Sequence, residues 1–279
     1  MASDRNFFMK PSFGDTVILK FSKDHKEVHL VQGDKVMNRF GVFLHDEIIN
    51  VDYGARVYCK DRYAILLKFT PLLWSKSLSN RTQIIYPCDS SLILSKCNIV
   101  PGSVVIESGT GSGCLSHSFL NALLPTGHLY TFEYNENRYK EAELEFARHN
   151  LSTNTTCQHR DVCKEGFNLH NIADVVFLDL PSPWECIAFA KETLKKDKLT
   201  TICIFSPCIE QIQKSCLELA SNGFSSIRMY ECLLYDHYLR QIPLLNIDTN
   251  EQLEESVIGR YTEQKSHTSF LLYAELEVQ

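Results

Sequence analysis

The segment from Ser103 to Cys114 contains a carboxylate followed by alternating glycines, a spacing that could hold a nucleotide cofactor. The apolar run Val104–Ile106 precedes Glu107, and such a run is typical of a strand buried on both faces. The glycines at alternate positions from Gly109 to Gly113 allow a tight turn and a close approach to a ligand, and a following helix offers its free amides. The segment therefore predicts a nucleotide-binding turn between a strand and a helix.

The position of the Glu107 carboxylate and the spacing of the glycines indicate which kind of nucleotide cofactor the turn would hold. A dinucleotide-binding turn reads Gly-x-Gly-x-x-Gly and places a pyrophosphate at the helix N-terminus. Here the pattern is Glu-x-Gly-x-Gly-x-Gly, and Glu107 would repel a phosphate but suits the cationic, amine-bearing end of S-adenosylmethionine. The pattern favours S-adenosylmethionine as the cofactor, and a glycine-rich turn without a ligand is the alternative.

Acidic residues stand at the ends of four successive predicted strands: Glu107, Glu133, Asp161 and Asp179. In an open α/β sheet, ligands bind at the carboxyl ends of the strands, so we expect these side chains to share one cleft. By position, Glu107 would face the methionine amine, Glu133 the ribose hydroxyls and Asp161 the adenine amino group. A solvated glutamate at a strand end is the alternative for Glu133.

Asp179 is the candidate for the chemistry because a stiff loop follows it. The loop contains two prolines and Trp184, whose ring could stack on a flat substrate. A helix N-cap is the alternative role for Asp179. Tyr86, in the turn ahead of the glycine-rich segment, could face the same pocket or be a packed core ring.

Composition is that of an ordinary globular chain: 279 residues, 44% hydrophobic and 22% charged. The absence of a long apolar run and of a signal peptide predicts a soluble, intracellular protein without membrane association. Eleven cysteines without a Cys-x-x-Cys motif argue against disulfides and against a zinc site. The net charge of −6 argues against nucleic-acid binding without a basic patch or a basic partner.

The elements that position these residues fall into two predicted domains. Residues 1–75 contain short apolar runs separated by turn residues, which predicts a small antiparallel β-domain. Residues 76–279 form the second domain, in which 76–100 are a linking turn and helix and the remainder alternates strand and helix, as in a doubly wound parallel sheet. The last two strands can pair antiparallel at an edge. Residues 236–266, between them, are predicted to be a polar surface loop.

Five strings of the sequence together resemble one family of RNA-modifying enzymes. They are Arg81-Thr-Gln-Ile-Ile-Tyr86, Glu107-Ser-Gly-Thr-Gly-Ser-Gly113, Pro125-Thr-Gly-His128, Phe177-Leu-Asp-Leu-Pro-Ser-Pro-Trp-Glu185 and Phe205-Ser-Pro-Cys-Ile-Glu-Gln211. The chain resembles the catalytic subunit of the eukaryotic tRNA (adenine-N1)-methyltransferase, which modifies the T-loop adenine at position 58. The resemblance implies the fold of a class I methyltransferase: a doubly wound, mostly parallel seven-stranded α/β sheet with an antiparallel edge strand, plus the N-terminal β-domain.

The resemblance also implies site residues and partners. Asp179 and Tyr86 would be catalytic, and no metal is implied. The S-adenosylmethionine site would comprise Gln83, Glu107, Ser108, Gly109, Thr110, Gly111, Ser112, Gly113, Glu133, Arg138, Asp161, Val162 and Asp179. A noncatalytic paralogous subunit would complete a heterotetramer with two copies of each chain and help to bind tRNA, which fits the acidic charge. The family implies a nuclear location, with the cytoplasm as the alternative.

The implied chemistry follows from adenine N1, whose in-plane lone pair can attack a sulfonium methyl held in line with it. A carboxylate at Asp179 that bonds to the exocyclic amino group would stabilise the positive charge on the ring and could accept a proton. The alternatives are methylation of adenine N6 in another nucleic acid and a noncatalytic RNA-binding scaffold. N6 enzymes typically carry Asp/Asn-Pro-Pro-aromatic after this strand, and Leu180 and Ser182 break that string.

Overall fold

The computed structural model describes residues 10–78, 83–245, 252–261 and 267–278. The strands are β1 (Thr16–Phe21), β2 (Asp24–His29), β3 (Lys35–Asn38), β4 (Gly41–Leu44), β5 (Arg56–Cys59), β6 (Arg62–Lys68), β7 (Val104–Ser108), β8 (His128–Glu133), β9 (Thr155–His159), β10 (Val175–Leu178), β11 (Thr200–Ser206), β12 (Ser225–Glu231), β13 (His237–Leu245), β14 (Gln252–Arg260) and β15 (Phe270–Leu276). The helices are α1 (His45–Ile48), α2 (Pro71–Ser75), α3 (Pro87–Lys96), α4 (Cys114–Leu123), α5 (Glu136–Arg148), α6 (Val162–Glu165), α7 (Ile187–Thr193) and α8 (Ile209–Ser221).

Seven strands form the large sheet, in the order β12-β15-β11-β10-β7-β8-β9. The five neighbouring strands β11, β10, β7, β8 and β9 pair in parallel. Strand β15 lies between β11 and β12 and pairs antiparallel with both. Along the strands, side chains alternate between two apolar clusters: Ile106 and Val176 belong to one, and Val105 and Val175 to the other. The predicted mostly parallel sheet with antiparallel pairing at one edge is confirmed.

The central strands end in register, which sets the position of the site. Ser108 at the end of β7 is paired with Leu178 of β10 on one side and with Phe132 of β8 on the other. The residues that follow these positions, Gly109, Asp179 and Glu133, therefore emerge side by side at the carboxyl edge of the sheet.

The N-terminal part of the chain forms separate small antiparallel sheets, as predicted. One sheet has the order β2-β1-β6-β5, and β3 and β4 form a hairpin. Their side chains enclose a small core that includes Phe21, Phe43 and Leu66. The sequence did not predict β5 or the short helices α1 and α2, which have too few residues to produce a periodic pattern.

The expectation of a surface loop over residues 236–266 is wrong. Within this range, β13 and β14 pair antiparallel from His237 with Arg260 to Leu245 with Gln252, while residues 246–251 and 262–266 lie outside the described residues. Pro243 lies within β13, opposite Glu254. A two-stranded sheet leaves one edge of each strand open, so a proline is tolerated there.

None of the helices in the described ranges is long and apolar enough to cross a lipid bilayer.

Candidate active site

A cleft of about 500 Å³ opens at the carboxyl edge of the large sheet, beside the ends of β7, β8 and β10. Its volume lies within the range of about 300–1,000 Å³ that is usual for small-molecule sites. It is lined by Gln83, Ser108, Gly109, Gly111, Glu133, Tyr134, Arg138, Arg160, Asp161, Val162, Cys163, Lys164, Asp179, Leu180, Pro181, Ser182 and Glu185. The sheet thus brings three of the four predicted strand-end acids onto one cleft.

The glycine turn follows β7 and packs directly on the end of β10. Gly109, Gly111 and Gly113 all have positive φ values, of 92°, 55° and 74°, which glycine adopts without steric cost. A Cβ at Gly109 would lie 2.2 Å from the carbonyl oxygen of Asp179. The backbone N–H of Asp179 donates to the Ser108 carbonyl at 2.9 Å. Only glycine at position 109 lets the turn and the start of the Asp179 loop approach this closely.

Glu133 connects the turn to the end of β8 and is almost fully buried. Its Oε2 accepts from the backbone N–H of Gly111 at 2.9 Å, and its Oε1 accepts from Asn135 N at 2.9 Å and from Arg138 Nη2 at 2.7 Å. A carboxylate offers about four acceptor positions, so Oε2 can still accept one hydroxyl. Glu133 therefore positions the turn and retains a place for a ligand group.

Glu107 lies behind the turn and is not among the residues that line the cleft. It is buried, and its Oε2 accepts from Ser116 Oγ at 2.5 Å and from Thr131 Oγ1 at 2.7 Å. Burial raises the pKa of Glu107 to about 8, the two hydroxyl hydrogen bonds oppose the shift, and the charges of Asp179 and Glu133 add to it. The structure thus places Glu107 beneath the turn, whereas the sequence analysis expected it to face the methionine amine.

Three further residues of the predicted cofactor set, at positions 110, 112 and 113, are part of the turn itself. Thr110 is buried, and its Oγ1 is 2.6 Å from Thr131 Oγ1. Ser112 is buried, and Gly113 precedes α4 at its N-terminus. None of the three lines the described cleft, so they shape the turn from its interior side.

Asp179 occupies the cleft at the end of β10. Burial raises the pKa of its carboxyl group to about 7, and the negative charge of Glu133 adds to this shift. Within the described residues, no donor bonds to this carboxylate, and the N-cap of the next short helix (Pro183–Cys186) is Ser182. Asp179 is therefore not a helix cap, and its carboxylate faces the cleft with a pKa suited to a base near neutral pH.

Asp161 and Val162 line the opposite wall of the cleft, at the start of α6. Lys164 Nζ lies 3.0 Å from Asp161 Oδ2, and this hydrogen bond lowers the pKa of Asp161. Asp161 is thus ionised at neutral pH, whereas Asp179, with a pKa of about 7, is partly protonated there.

The predicted residues from outside the sheet divide into two groups. Gln83 and Arg138 line the cleft. Tyr86 is 49% exposed and precedes α3, and Trp184 packs against the core with Lys214 Nζ 4.6 Å from its ring centroid. Neither aromatic ring lines the described cleft, so the expected stacking of Trp184 on a substrate has no place in this geometry.

Sequence reasoning missed several lining residues, among them Tyr134, Arg160, Lys164 and Glu185. Each follows or precedes a predicted strand end by a few positions along the chain. This proximity was the only feature of the sequence that could have indicated a place in the cleft. Two of them are basic, which tempers the acidic character of the cleft. Across the described ranges, no cluster of three or more His, Cys, Asp and Glu side chains is arranged to hold a metal ion.

Comparison with known proteins identifies the family. The sequence model described as the tRNA methyltransferase complex GCD14 subunit matches residues 62–270. The chain belongs to this family. A relative, the tRNA (adenine(58)-N(1))-methyltransferase catalytic subunit TRM61 of Candida albicans, is 42% identical over 89% of this chain and 76% of its own length. For some other GCD14-type relatives, the chain spans only about half of their length.

Two solved structures share the fold of this GCD14 family member. An S-adenosylmethionine-dependent O-methyltransferase from Thermotoga maritima has a TM-score of 0.77 at 24% identity, covering 97% of this chain and 95% of its own. The tRNA (m1A58) methyltransferase TrmI from Aquifex aeolicus has a TM-score of 0.72 at 21% identity, covering 97% and 99%. At these identities the likeness concerns the fold, which is that of class I methyltransferases.

The burial of Glu107 generates a prediction about stability and pH. Because its pKa in the folded protein, about 8, exceeds its unfolded value, ionisation destabilises the fold as the pH rises. Between pH 7 and pH 9 this carboxyl should reduce the free energy of unfolding by about 1.4 kcal/mol. We expect Glu107→Gln to lack this part of the decrease, as measured by urea unfolding at both pH values.

The control for this prediction is Glu47→Gln at an exposed position, which should retain the wild-type decrease. An equal decrease in Glu107→Gln would contradict the burial of an ionising group at this position. A tenfold loss of cofactor affinity in Glu107→Gln with unchanged stability would instead support the direct contact with the cofactor that the sequence predicted.

Proposed function

We propose that this chain is the catalytic subunit of an S-adenosylmethionine-dependent enzyme that methylates N1 of adenine 58 in the T-loop of tRNA. Membership of the GCD14 family supports the reaction. The observation that carries the proposal within the site is Asp179, a cleft carboxylate with a pKa of about 7 whose backbone contacts the glycine turn. This arrangement supports a role for Asp179 as the base for an adenine amino group, beside a turn that would hold the cofactor.

The cleft residues fit S-adenosylmethionine as the cofactor. Gly109 and Gly111 leave the turn without side chains toward the ligand, and the open acceptor position on Glu133 suits a ribose hydroxyl. Val162 offers an apolar surface and Asp161 an acceptor for the adenine end. Asp179 and Glu133 repel each other, so a cation bound between them is favoured. When bound, S-adenosylmethionine supplies a methyl group activated by a sulfonium charge.

Asp179 acts on the substrate adenine. Attack through N1 leaves positive charge on the ring, which increases the acidity of the exocyclic amino group. The Asp179 carboxylate accepts a hydrogen bond from this amino group, stabilises the charge and can take its proton. Because N1 lies on the Watson–Crick edge, the adenine must leave its T-loop contacts before it enters the cleft.

Binding of a cationic cofactor should release protons near pH 7. A cation close to Asp179 lowers its pKa from about 7, so the fraction of protonated carboxyl falls on binding. We expect release of roughly a few tenths of a proton at pH 7, measured by calorimetry in two buffers with different ionisation enthalpies. Asp179→Asn should remove most of this release. Proton uptake by the wild type would contradict a cation at this position.

The activity should require the ionised form of Asp179. We expect kcat/KM for S-adenosylmethionine to rise with pH through about 7, because this ratio reports the cofactor-free enzyme and the base must be deprotonated to accept a proton. Asp179→Asn should lower kcat by roughly 100-fold or more and lose this rise, while cofactor binding is retained. The measurement is a set of pH-rate profiles under single-turnover conditions.

Asp197→Asn, which changes an exposed aspartate in the loop between α7 and β11, is the matched control and should keep the wild-type profile. Near-normal methylation by Asp179→Asn would remove Asp179 from the mechanism.

The proposed partner is a noncatalytic paralogous subunit, in a heterotetramer with two copies of each chain. The net charge of −6 supports this partnership, because tRNA binding needs basic surface that a second subunit can supply. The family resemblance is the basis for proposing nuclear localisation, with the cytoplasm as the alternative.

Co-expression with the paralogous subunit tests the whole proposal. The complex should methylate an unmodified tRNA transcript and leave a transcript without adenine 58 unmodified. Mass spectrometry of the nucleosides should show N1-methyladenosine, whereas N6-methyladenosine would favour the amino-methyltransferase. A complex that binds tRNA but forms no product would favour the scaffold.

A further inference from the structure

A chain of buried side chains connects the N-terminal sheet to the last glycine of the turn. Glu27 lies on β2, Trp74 at the end of α2, His117 on α4, and His149 directly after α5. Trp74 and His117 are at most 2% exposed, and the His149 side chain is 1% exposed. None of these four residues lines the described cleft, so they approach the turn from the side opposite to the ligand.

The contacts form a continuous path. Glu27 Oε1 is 3.1 Å from His149 Nε2, His149 Nδ1 is 2.8 Å from His117 Nε2, and His117 Nδ1 is 2.7 Å from the carbonyl oxygen of Gly113. We call this path the Glu27-to-Gly113 chain. Although Glu27 and His149 are 122 residues apart in sequence, three hydrogen bonds separate the N-terminal sheet from the cofactor turn.

Trp74 supports the same glycine through a second path. Its indole Nε1–H donates to Glu27 Oε2 at 2.6 Å, and its ring centroid is 3.9 Å from that of His117. A Cβ at Gly113 would lie 3.4 Å from the Trp74 ring and 3.7 Å from His117 Nδ1. Gly113 thus lies against the rings of Trp74 and His117. Trp74 is hydrogen-bonded to Glu27 directly, and His117 is connected to it through His149.

The groups at the two ends of the chain are both acceptors. The Gly113 carbonyl can only accept, so His117 Nδ1 donates to it. Burial alone would raise the pKa of Glu27, but the hydrogen bonds from His149 and Trp74 and the charge of Arg148, whose Nη1 is 3.7 Å from Glu27 Oε1, lower it. Glu27 is therefore a carboxylate that accepts from both His149 and Trp74.

We propose that Glu27, His149, His117 and Trp74 are positioning residues that fix the Gly113 end of the turn in its cofactor-binding conformation. The turn contains three glycines with positive φ, and glycine loses the most conformational freedom on ordering. The contacts of Trp74 and His117 with Gly113 order this end of the turn before the cofactor binds. Cofactor binding then has a smaller loss of conformational entropy to offset. The inference rests on the proposed function only in taking S-adenosylmethionine as the ligand of the turn.

The test is calorimetric binding of S-adenosylmethionine to the full chain, together with thermal unfolding. His117→Ala removes the imidazole contact to the Gly113 carbonyl, while the backbone N–H of residue 117 keeps its own hydrogen bond to this oxygen at 3.0 Å. The variant should weaken binding by roughly tenfold. Glu27→Ala removes the acceptor for His149 and Trp74 and should weaken it to a similar degree. The control is Val57→Ala, a buried change on β5 at the opposite edge of the small sheet from β2, which should lower Tm without changing the affinity.

Glu27→Gln is the conservative variant that keeps the test decisive if the alanine variants unfold. With its amide NH2 directed at His149 Nε2 and its oxygen at Trp74 Nε1–H, the glutamine side chain can keep a hydrogen bond to both neighbours of Glu27. It should therefore recover most of the affinity lost in Glu27→Ala.

The outcomes separate the two proposals. A wild-type chain that does not bind S-adenosylmethionine would overturn the proposed function. Wild-type binding with unchanged affinity in His117→Ala and Glu27→Ala, at whatever Tm, would overturn the positioning role alone. A loss of affinity in Val57→Ala equal to that in His117→Ala at the same Tm would also overturn it, because general destabilisation would then account for the effect.

Discussion

The contact between Gly109 and the backbone of Asp179 is the constraint on which the site depends. The ends of β7 and β10 are held in register by the parallel ladder, and the missing side chain at position 109 allows the turn to rest on the Asp179 carbonyl. Parallel pairing therefore does more than bury apolar strands. It places the turn that would hold a methyl donor and the carboxylate that would bind its acceptor at adjacent strand ends, so that their relative position does not depend on a flexible loop.

The second property of the site is electrostatic. Glu107, Glu133 and Asp179 lie close enough that the charges of Glu133 and Asp179 raise the pKa of Glu107, and that of Glu133 raises the pKa of Asp179. Arg138 pairs with Glu133, and Glu107 has its two hydroxyl donors, whereas Asp179 has no partner within the described residues. The unpaired member of the group thus carries the unrelieved repulsion. Burial and, second to it, this repulsion keep the pKa of Asp179 near neutrality. The repulsion also favours a cationic ligand, so the same arrangement would serve both the proposed binding and the proposed proton transfer.

The sequence predicted the elements that have a clear apolar periodicity and the side chains that stand at strand ends. The bounds of β11 and α8 follow their apolar patterns, and Glu133, Asp161 and Asp179 reach the cleft because parallel strands share one carboxyl edge. The direction of a side chain depends on a finer rule, because successive residues in a strand point to opposite faces. Ser108 ends β7 and lines the cleft, whereas Glu107, one residue earlier, is directed into the interior. The Glu-x-Gly-x-Gly-x-Gly pattern therefore gives the distance of Glu107 from the glycines along the chain, but not the face of the strand to which its side chain points.

The support of the turn could not be predicted for a different reason. His117 and His149 are 32 residues apart, and Glu27 belongs to another sheet, so no periodic pattern brings them together. A lone buried histidine in a sequence is ordinarily a core residue, and only the fold reveals that two of them join a carboxylate to a glycine carbonyl. This arrangement gives the N-terminal sheet a role in the geometry of the methyltransferase site. Because the path consists of short contacts between buried or partly buried groups, a displacement of β2 relative to α4 would break the contact of Glu27 with His149 or that of His149 with His117. The two parts of the chain are therefore coupled at the turn, and the small N-terminal sheet belongs to the same functional unit as the large one.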